Sequence, residues 1–223
     1  MSDLILRLHE DHLPAGCPPI YLPARPRALY VRSGGVSVDG PADGRWLGEA
    51  HAHVTQSETT LNNGAEATVL WRWELARADA PEALQLPSAP ASRSILKLAA
   101  PLQLDPDFSW LMRCDRVDFP AGGVALTHVH QGPGIRICLH GEIRIETLGE
   151  ENAYPAGDAW FELGHAPVLA PTTEHEATAF VRCFLLPRQL KGRSSIRYVR
   201  AEDAAATKVQ QYRVFAERYI DLP

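Results

Sequence analysis

The sequence predicts an all-β protein that contains two β-barrels in tandem. Short apolar runs with alternating polar residues recur along the chain, and turns rich in Gly, Asn and Pro separate them. Segments of the first half also resemble segments of the second half at an offset between 107 and 110 residues, which indicates a duplication. The matched pairs are Arg32–Val38 with Leu139–Ile145, Leu47–Ala50 with Ala156–Ala159, and Thr68–Leu75 with Thr178–Leu185.

Composition excludes several classes of protein. A length of 223 residues fits one large or two small domains, and a net charge of −5 gives no reason to expect nucleic acid or an anionic membrane as a partner. No run of 18 apolar residues is present, so no membrane span is expected, and the N-terminus lacks the core of a signal peptide. The four cysteines are scattered without CxxC spacing, which favours reduced thiols in the cytoplasm.

The chain divides into three predicted regions. Residues 1–93 form a first barrel, in which Leu29–Val38 is typical of two strands joined by a Gly-Gly turn, and a Pro-rich linker follows Ala76. Residues 94–200 form a second barrel. Residues 201–223 contain apolar side chains at helical spacing, which predicts a terminal amphipathic helix over Ala201–Arg218.

The most informative stretch lies in the second barrel, where His128 and His130 stand two apart at the end of an apolar run. In a strand such residues point to one face, so both imidazoles project in the same direction and offer two nitrogen ligands to one metal. A turn, Gln131–Gly134, precedes a second strand in which apolar residues alternate with Arg136, Cys138 and His140. By this alternation Arg136 and Cys138 point into the barrel.

These residues resemble the two motifs of the cupin superfamily, and the whole chain resembles its bicupin, quercetin-dioxygenase-like and RmlC-like members. Gly122, His128, His130 and Gly141 occupy the first motif, but Gly134 stands at the position of its ligand glutamate. The run Gly157–Glu162 fits the start of the second motif, in which Leu163, His165 and Val168 stand for the Pro, the Gly and the ligand His. The resemblance implies double-stranded β-helix, or jelly-roll, barrels and a homodimer.

The resemblance also implies a divalent transition metal, Fe, Ni, Mn or Zn, at His128 and His130. Two imidazoles rarely hold a metal alone, so a third ligand is needed. Glu162 and His165 lie at the turn that carries the last ligand in cupins and are the candidates. The alternative is a pair of histidines that line a pocket without a metal.

Three further side chains are candidates for substrate binding. Arg136 either clamps a substrate carboxylate or forms an internal ion pair with Glu162. Trp160 either forms a pocket wall or belongs to the core. Cys138 is either a reactive thiol or a small buried residue.

The resemblance therefore implies a metal-dependent enzyme, an oxygenase such as a dioxygenase, an isomerase or a lyase, that acts on a small organic acid. One alternative is a small-molecule binder or sensor without catalysis, which the missing ligands favour. The other is a scaffold whose barrels serve mainly to dimerise. The expected partners are a small carboxylate ligand and a second copy of the chain.

Overall fold

The structure, a computed structural model, describes residues 3–41, 44–81, 86 and 89–223. It is built from antiparallel strands, so the all-β prediction is confirmed. The chain forms two compact units, one of Met1–Met112 with Ala216–Pro223 and the other of Arg113–Phe215.

The first unit contains two sheets, with strand orders β6-β3-β8-β1-β9 and β2-β7-β4-β5. Its strands are β1 (Asp3–Leu13), β2 (Ile20–Leu22), β3 (Arg27–Ser33), β4 (Gly35–Asp39), β5 (Gly44–Gly48), β6 (Ala52–Thr55), β7 (Thr59–Asn63), β8 (Thr68–Arg77) and β9 (Arg93–Gln103). Aliphatic residues of both sheets, among them Leu29, Val36 and Leu70, form one buried core between them. Alternation along each strand explains this packing, because every second side chain faces the opposite sheet.

The second unit repeats this plan, with strand orders β15-β12-β17-β10-β19 and β14-β13-β16-β11-β18, although the first residues of β10 and the last residues of β19 are counted with the first unit. Its strands are β10 (Trp110–Phe119), β11 (Val124–His130), β12 (Gly134–His140), β13 (Glu142–Thr147), β14 (Glu150–Pro155), β15 (Ala159–Glu162), β16 (Val168–Pro171), β17 (Thr178–Pro187), β18 (Ile196–Tyr198) and β19 (Gln211–Ile220). A 3₁₀ turn, Arg188–Leu190, follows β17, and the helix α1 spans Ala201–Ala205. The core lies between the sheets around Val117, Trp160 and Phe180.

The duplication is visible at the turn that joins β3 to β4 and at its counterpart between β12 and β13. Gly34 and Gly141 both have a positive φ, 79° and 73°. A Cβ on Gly34 would press on Thr68, and one on Gly141 would press on Thr178. Only glycine fits a left-handed residue packed this closely, so the same local device closes the same hairpin in both barrels.

The C-terminal segment differs from the prediction. A helix is present, but it ends at Ala205, and Gln211–Ile220 is the edge strand β19 beside β10. The extension of the helix to Arg218 was therefore wrong. This stretch is rich in Tyr, Val and Phe, which suit a pleated surface, and pairing with β10 outweighs the helical spacing of its apolar residues.

The domain boundaries after residues 93 and 200 stay predictions. In the structure β9, which begins at Arg93, pairs with β1 of the first unit. Part of the predicted linker lies outside the described residues. No helix in the described part of the chain is long and apolar enough to cross a membrane.

The interior of the first unit also holds a buried cluster of charges. Arg72 Nε lies 2.6 Å from Asp11 Oδ2, and Arg72 Nη1 lies 3.0 Å from Glu74 Oε2. Arg27 Nε donates to Glu74 Oε1 at 3.1 Å. Burial alone would raise the pKa of Glu74, but the charges of Arg72 and Arg27 lower it to about 2. The opposite charges in this cluster therefore compensate one another locally.

His9 lies next to this cluster and makes the stability of the protein depend on pH. It is 2 % exposed, and neither ring nitrogen has a hydrogen-bond partner among the described residues. Burial, and then the charge of Arg72, lower its pKa from 6.5 to about 4. Between these two values the unfolded chain binds more protons than the folded one, so the free energy of unfolding falls as the pH falls.

We expect this effect of His9 to reach about 3 kcal/mol between pH 6.5 and pH 4. The measurement is urea denaturation at several pH values for the wild type and for His9→Gln. The difference between the two stability curves isolates His9 from other groups that titrate in the same window. Parallel curves would contradict the assignment.

Candidate functional site

The second unit encloses a cavity of about 250 Å³ between its two sheets. One part of the wall is apolar and the other is polar and charged. The apolar part includes Val117, Phe119, Ala125, Ile143, Ile145, Trp160, Ala170 and Phe180. The polar part includes Arg113, Asp115, His128, His130, Glu162, Arg182 and Ser195, and residues between 194 and 212 complete the wall.

His128 and His130 lie side by side in this wall. β11 carries both on one face, and they are only 5 % and 4 % exposed. Their ring centroids are 4.9 Å apart and the rings are nearly perpendicular, at 80°. The spacing of two residues in a strand thus directs both imidazoles into one enclosed space.

Both imidazoles are neutral at neutral pH. Burial lowers the pKa of His128, and burial together with the charges of Arg182 and Arg136 lowers that of His130. His128 Nδ1 lies 2.7 Å from the carbonyl oxygen of Leu126, which can accept a hydrogen bond but cannot donate one. Nδ1 therefore carries the hydrogen, and Nε2 of His128 keeps a lone pair.

Glu162, the first candidate for a third metal ligand, also lines the cavity, but both of its oxygens have partners. Oε2 lies 2.7 Å from Arg136 Nη2, and Oε1 accepts a hydrogen bond of 2.8 Å from the indole of Trp160. A metal at the histidines would have to compete with a fully buried guanidinium for this carboxylate. Of the two interpretations of Arg136, the structure contains the internal ion pair.

Arg136 itself lies behind the cavity wall. Its side chain is fully buried and donates to the Gly134 carbonyl at 2.5 Å as well as pairing with Glu162. Burial lowers its pKa to about 10, so it remains charged at neutral pH. Its guanidinium carbon lies 4.7 Å from the ring centroid of Phe184. A clamp on a ligand in the cavity would need a guanidinium that reaches the wall.

The other predicted site residues are separated from the histidines or serve as packing. His165 is exposed and does not line the cavity. Cys138 is buried, its thiol donates to the His140 carbonyl, and burial raises its pKa to about 12. Such a thiol is inert at neutral pH. Trp160 is both core and wall, since it is 3 % exposed, contacts Tyr154 and Phe180, and borders the cavity.

Neither of the two positions at which cupins carry their remaining ligands supplies a metal ligand in this chain. A Cβ on Gly134 would overlap the carbonyl oxygen of Cys183 and approach Phe184 Cδ1 to 3.1 Å. Val168 is apolar, is 3 % exposed and lies directly opposite His128 on the neighbouring strand. Within the described residues no group of three or more His, Cys, Asp or Glu side chains could hold a metal ion. The donor set therefore does not fit a three-ligand metal site.

Sequence reasoning missed a second arginine, Arg182, which does reach the cavity. It lies on β17 directly opposite Arg136, and its Nε is 2.5 Å from Asp115 Oδ1. Its guanidinium carbon stacks 4.4 Å from the ring centroid of Phe184. The repeat could have indicated this residue, because the match of Thr178–Leu185 with Thr68–Leu75 places Arg182 on Arg72.

The segment after β17 covers the histidine strand. β18 pairs with β11, so that His128 faces Tyr198 and His130 faces Ile196. The hydroxyl of Ser195 lies 3.3 Å from His130 Nδ1. Gln210 donates to the Tyr198 hydroxyl at 3.1 Å, so the chain beyond α1 is hydrogen-bonded to β18. This segment separates the imidazoles from bulk water.

The chain is similar in fold, but not in sequence, to several proteins of known structure. No protein-family model and no curated protein sequence matches the chain. Among solved structures, AerE from Microcystis aeruginosa superposes with a TM-score of 0.56 at 13% identity, over 83% of this chain and 88% of that one. Salicylate 1,2-dioxygenase from Pseudaminobacter salicylatoxidans gives 0.55 at 10% identity, over 94% and 74%. Oxalate decarboxylase from Bacillus subtilis gives 0.57 at 11% identity, over 89% and 70%. At such identities the likeness is one of fold.

Proposed function

We propose that this chain, a protein of the cupin fold with two tandem barrels, binds a small organic acid in the cavity of its second barrel. The predicted jelly-roll fold is confirmed. Since one fold serves many functions, the side chains of the cavity and not the fold indicate the ligand.

The observation that carries the proposal is a guanidinium with N–H groups that are unpaired within the described residues, in the wall of an enclosed cavity, where it shares the wall with a set of apolar side chains. Arg182 lines the cavity opposite apolar and aromatic side chains, and both histidines beside it are neutral. In a space shielded from water, a guanidinium whose N–H groups lack hydrogen-bond partners attracts an anion more strongly than it would in solvent. The apolar wall in turn favours an acid with a hydrophobic body. Two of the solved structures similar in fold are named for acids, salicylate and oxalate.

A metal is not part of this proposal. A divalent transition metal at His128 and His130 would supply a Lewis acid, but the described part of the chain offers no third ligand to hold it. A side chain at position 134 has no room, Val168 is apolar, and Glu162 is ion-paired with Arg136. The oxygenase and lyase interpretations depend on that metal. The binder interpretation does not, and it agrees with the donor set.

A second candidate function, a proton-transfer enzyme such as an isomerase, is favoured by the state of His128. Its Nδ1–H is held by the Leu126 carbonyl, and Nε2 of the neutral ring has a lone pair. Such an imidazole can accept a proton from one carbon of the bound carboxylate and return it to another carbon, which completes an isomerisation, and its lowered pKa favours the return step. The binding step is shared by both candidates.

Calorimetric titration of the full chain in EDTA tests the proposed function. The probes are acetate, malonate, oxalate and benzoate, and metal content is measured on the untreated protein. We expect one acid to bind per chain with an affinity that EDTA leaves unchanged. A stoichiometric metal that is lost in His128→Ala, together with no acid binding in EDTA, would instead establish the metal-centred enzyme. If the protein contains no metal and binds no acid, the scaffold interpretation remains.

A further inference from the structure

The two barrels contain the same buried Arg–Asp pair, in corresponding strands. In the first barrel Arg72 on β8 pairs with Asp11 on β1. In the second barrel Arg182 on β17 pairs with Asp115 on β10. The segments that carry the arginines match at an offset of 110 residues, so the two pairs occupy equivalent places in the duplicated fold.

In the first barrel every edge of the guanidinium is used. Arg72 donates to Asp11 through two nitrogens, Nε at 2.6 Å and Nη2 at 3.1 Å. Nη2 also donates to the Ser94 hydroxyl at 3.1 Å, and Nη1 lies 3.0 Å from Glu74. With two carboxylates around it, Arg72 has no free edge for a ligand.

In the second barrel the second carboxylate has been exchanged for a phenyl ring. Phe184 stands where the first barrel has Glu74, two residues after the arginine on the same strand. Arg182 keeps only the bond from Nε to Asp115, and among the described residues its Nη1 and Nη2 have no hydrogen-bond partner. Neither atom is sealed from the cavity, since neither is among the buried unpaired polar atoms of the described chain.

The other arginine of the cavity wall has its donors occupied. Arg113 Nη1 donates to the Arg193 carbonyl at 2.9 Å, and Nη2 donates to the carbonyl of Leu190. Arg136 does not line the cavity; it lies behind the wall, where it pairs with Glu162 and donates to the Gly134 carbonyl. Of the two arginines that line the cavity, Arg182 is therefore the one with two N–H groups for an incoming anion, and such a pair matches the two oxygens of a carboxylate.

We infer that Arg182 anchors the carboxylate of the ligand, and that the exchange of an acid for Phe184 is what makes it available; this rests on the proposed function above. The body of the ligand is a single apolar ring or a group of that size. Phe119, Trp160 and Phe180 line the space in front of the guanidinium, and aromatic walls of this kind favour ring packing. A cavity of about 250 Å³ is larger than the roughly 150 Å³ that suffices for benzene in an engineered protein core.

Benzoate and its neutral isostere benzamide test the inference, titrated calorimetrically into the full chain in the presence of EDTA. We expect benzoate to bind at least about tenfold more tightly than benzamide, because a hydrogen-bonded charge is lost in the amide. Phe184→Glu restores the carboxylate that Glu74 supplies in the first barrel, and should weaken benzoate binding at least about tenfold. Phe184→Gln, of the same size but uncharged, is the matched control and should retain most of the affinity.

A second variant covers the case in which Phe184→Glu fails to fold, as judged by circular dichroism. Arg182→Lys keeps the charge opposite Asp115 but removes the two-nitrogen edge, and it should also weaken benzoate at least about tenfold. Equal affinity for benzoate and benzamide, or an equal loss of benzoate affinity in the Phe184→Glu and Phe184→Gln variants, would contradict the role of Arg182 as the anchor. Neither result would contradict the binding of an acid in the cavity. Binding of oxalate or malonate but not of benzoate would overturn the ring-sized body. No binding of any acid would overturn the proposed function itself.

Discussion

Replacing Val168 by His is expected to raise the affinity of the second barrel for Ni²⁺ or Zn²⁺ by on the order of a hundredfold. Val168 is the cross-strand partner of His128, and side chains of directly opposed residues project from the same face of a sheet. An imidazole there would lie beside those of His128 and His130, which are already neutral and whose ring centroids are 4.9 Å apart. Three nitrogen ligands are the usual minimum for a zinc site with an open position.

Equilibrium dialysis of Ni²⁺ and Zn²⁺ against the wild type and Val168→His measures the effect. Gly134→Glu is the contrasting variant, because it adds the other ligand type that cupins use but at a position without room beside the Cys183 carbonyl. We expect that variant to lose stability and to gain no metal. The double variant His128→Ala with Val168→His should return to the affinity of the wild type. A wild-type protein that already binds either metal tightly would show that a third ligand reaches the histidines after all.

Asp11→Asn is expected to lower the free energy of unfolding by about 3–5 kcal/mol. Asp11 is fully buried and holds Arg72, which is 2 % exposed, through two hydrogen bonds. Asparagine preserves the shape but removes the charge, so Arg72 is left with the carboxylate of Glu74 that it already shares with Arg27. The cost arises because a buried guanidinium loses half of its compensation in a medium of low dielectric constant.

An exposed pair in the second unit provides the matched control. Arg144 Nη2 lies 2.7 Å from Glu146 Oε1, and the two side chains are 48% and 31% exposed. Glu146→Gln should cost no more than about 1 kcal/mol, because water screens that pair. Urea denaturation, monitored by tryptophan fluorescence, measures the free energy of unfolding of both variants. A similar small loss in both would mean that burial adds little to the Arg72–Asp11 pair.

Much of the fold was predictable because its determinants are local. Period-two alternation assigns strands and faces within a few residues, and it correctly directed His128 and His130 into the barrel interior. The repeat at a near-constant offset indicated two barrels, which the paired Gly34 and Gly141 hairpins confirm. Local alternation also predicted that Arg136 points inward, and an ion pair with Glu162 is one of the two roles that the sequence predicts for it.

Other features were decided by contacts between residues far apart in sequence. β19 is a strand because β10, about a hundred residues earlier, offers it an edge, and this pairing overrides a helical spacing of apolar residues. Glu162 is committed to Arg136, and Gly134 lies against the Cys183 carbonyl; neither fact follows from the motif that contains the residue.

The sequence by itself determined an all-β chain with two barrels and an inward histidine pair, since alternation and glycine turns act over a few residues. Only the tertiary structure decided which charged groups the pocket exposes. Arg182 faces the cavity with an unsaturated edge because Asp115, 67 residues away, occupies one side of it and Phe184 stands where an acid would occupy the other. Whether a buried charge is compensated or open to a ligand depends on neighbours brought together by folding, and that is a property of the assembled barrel.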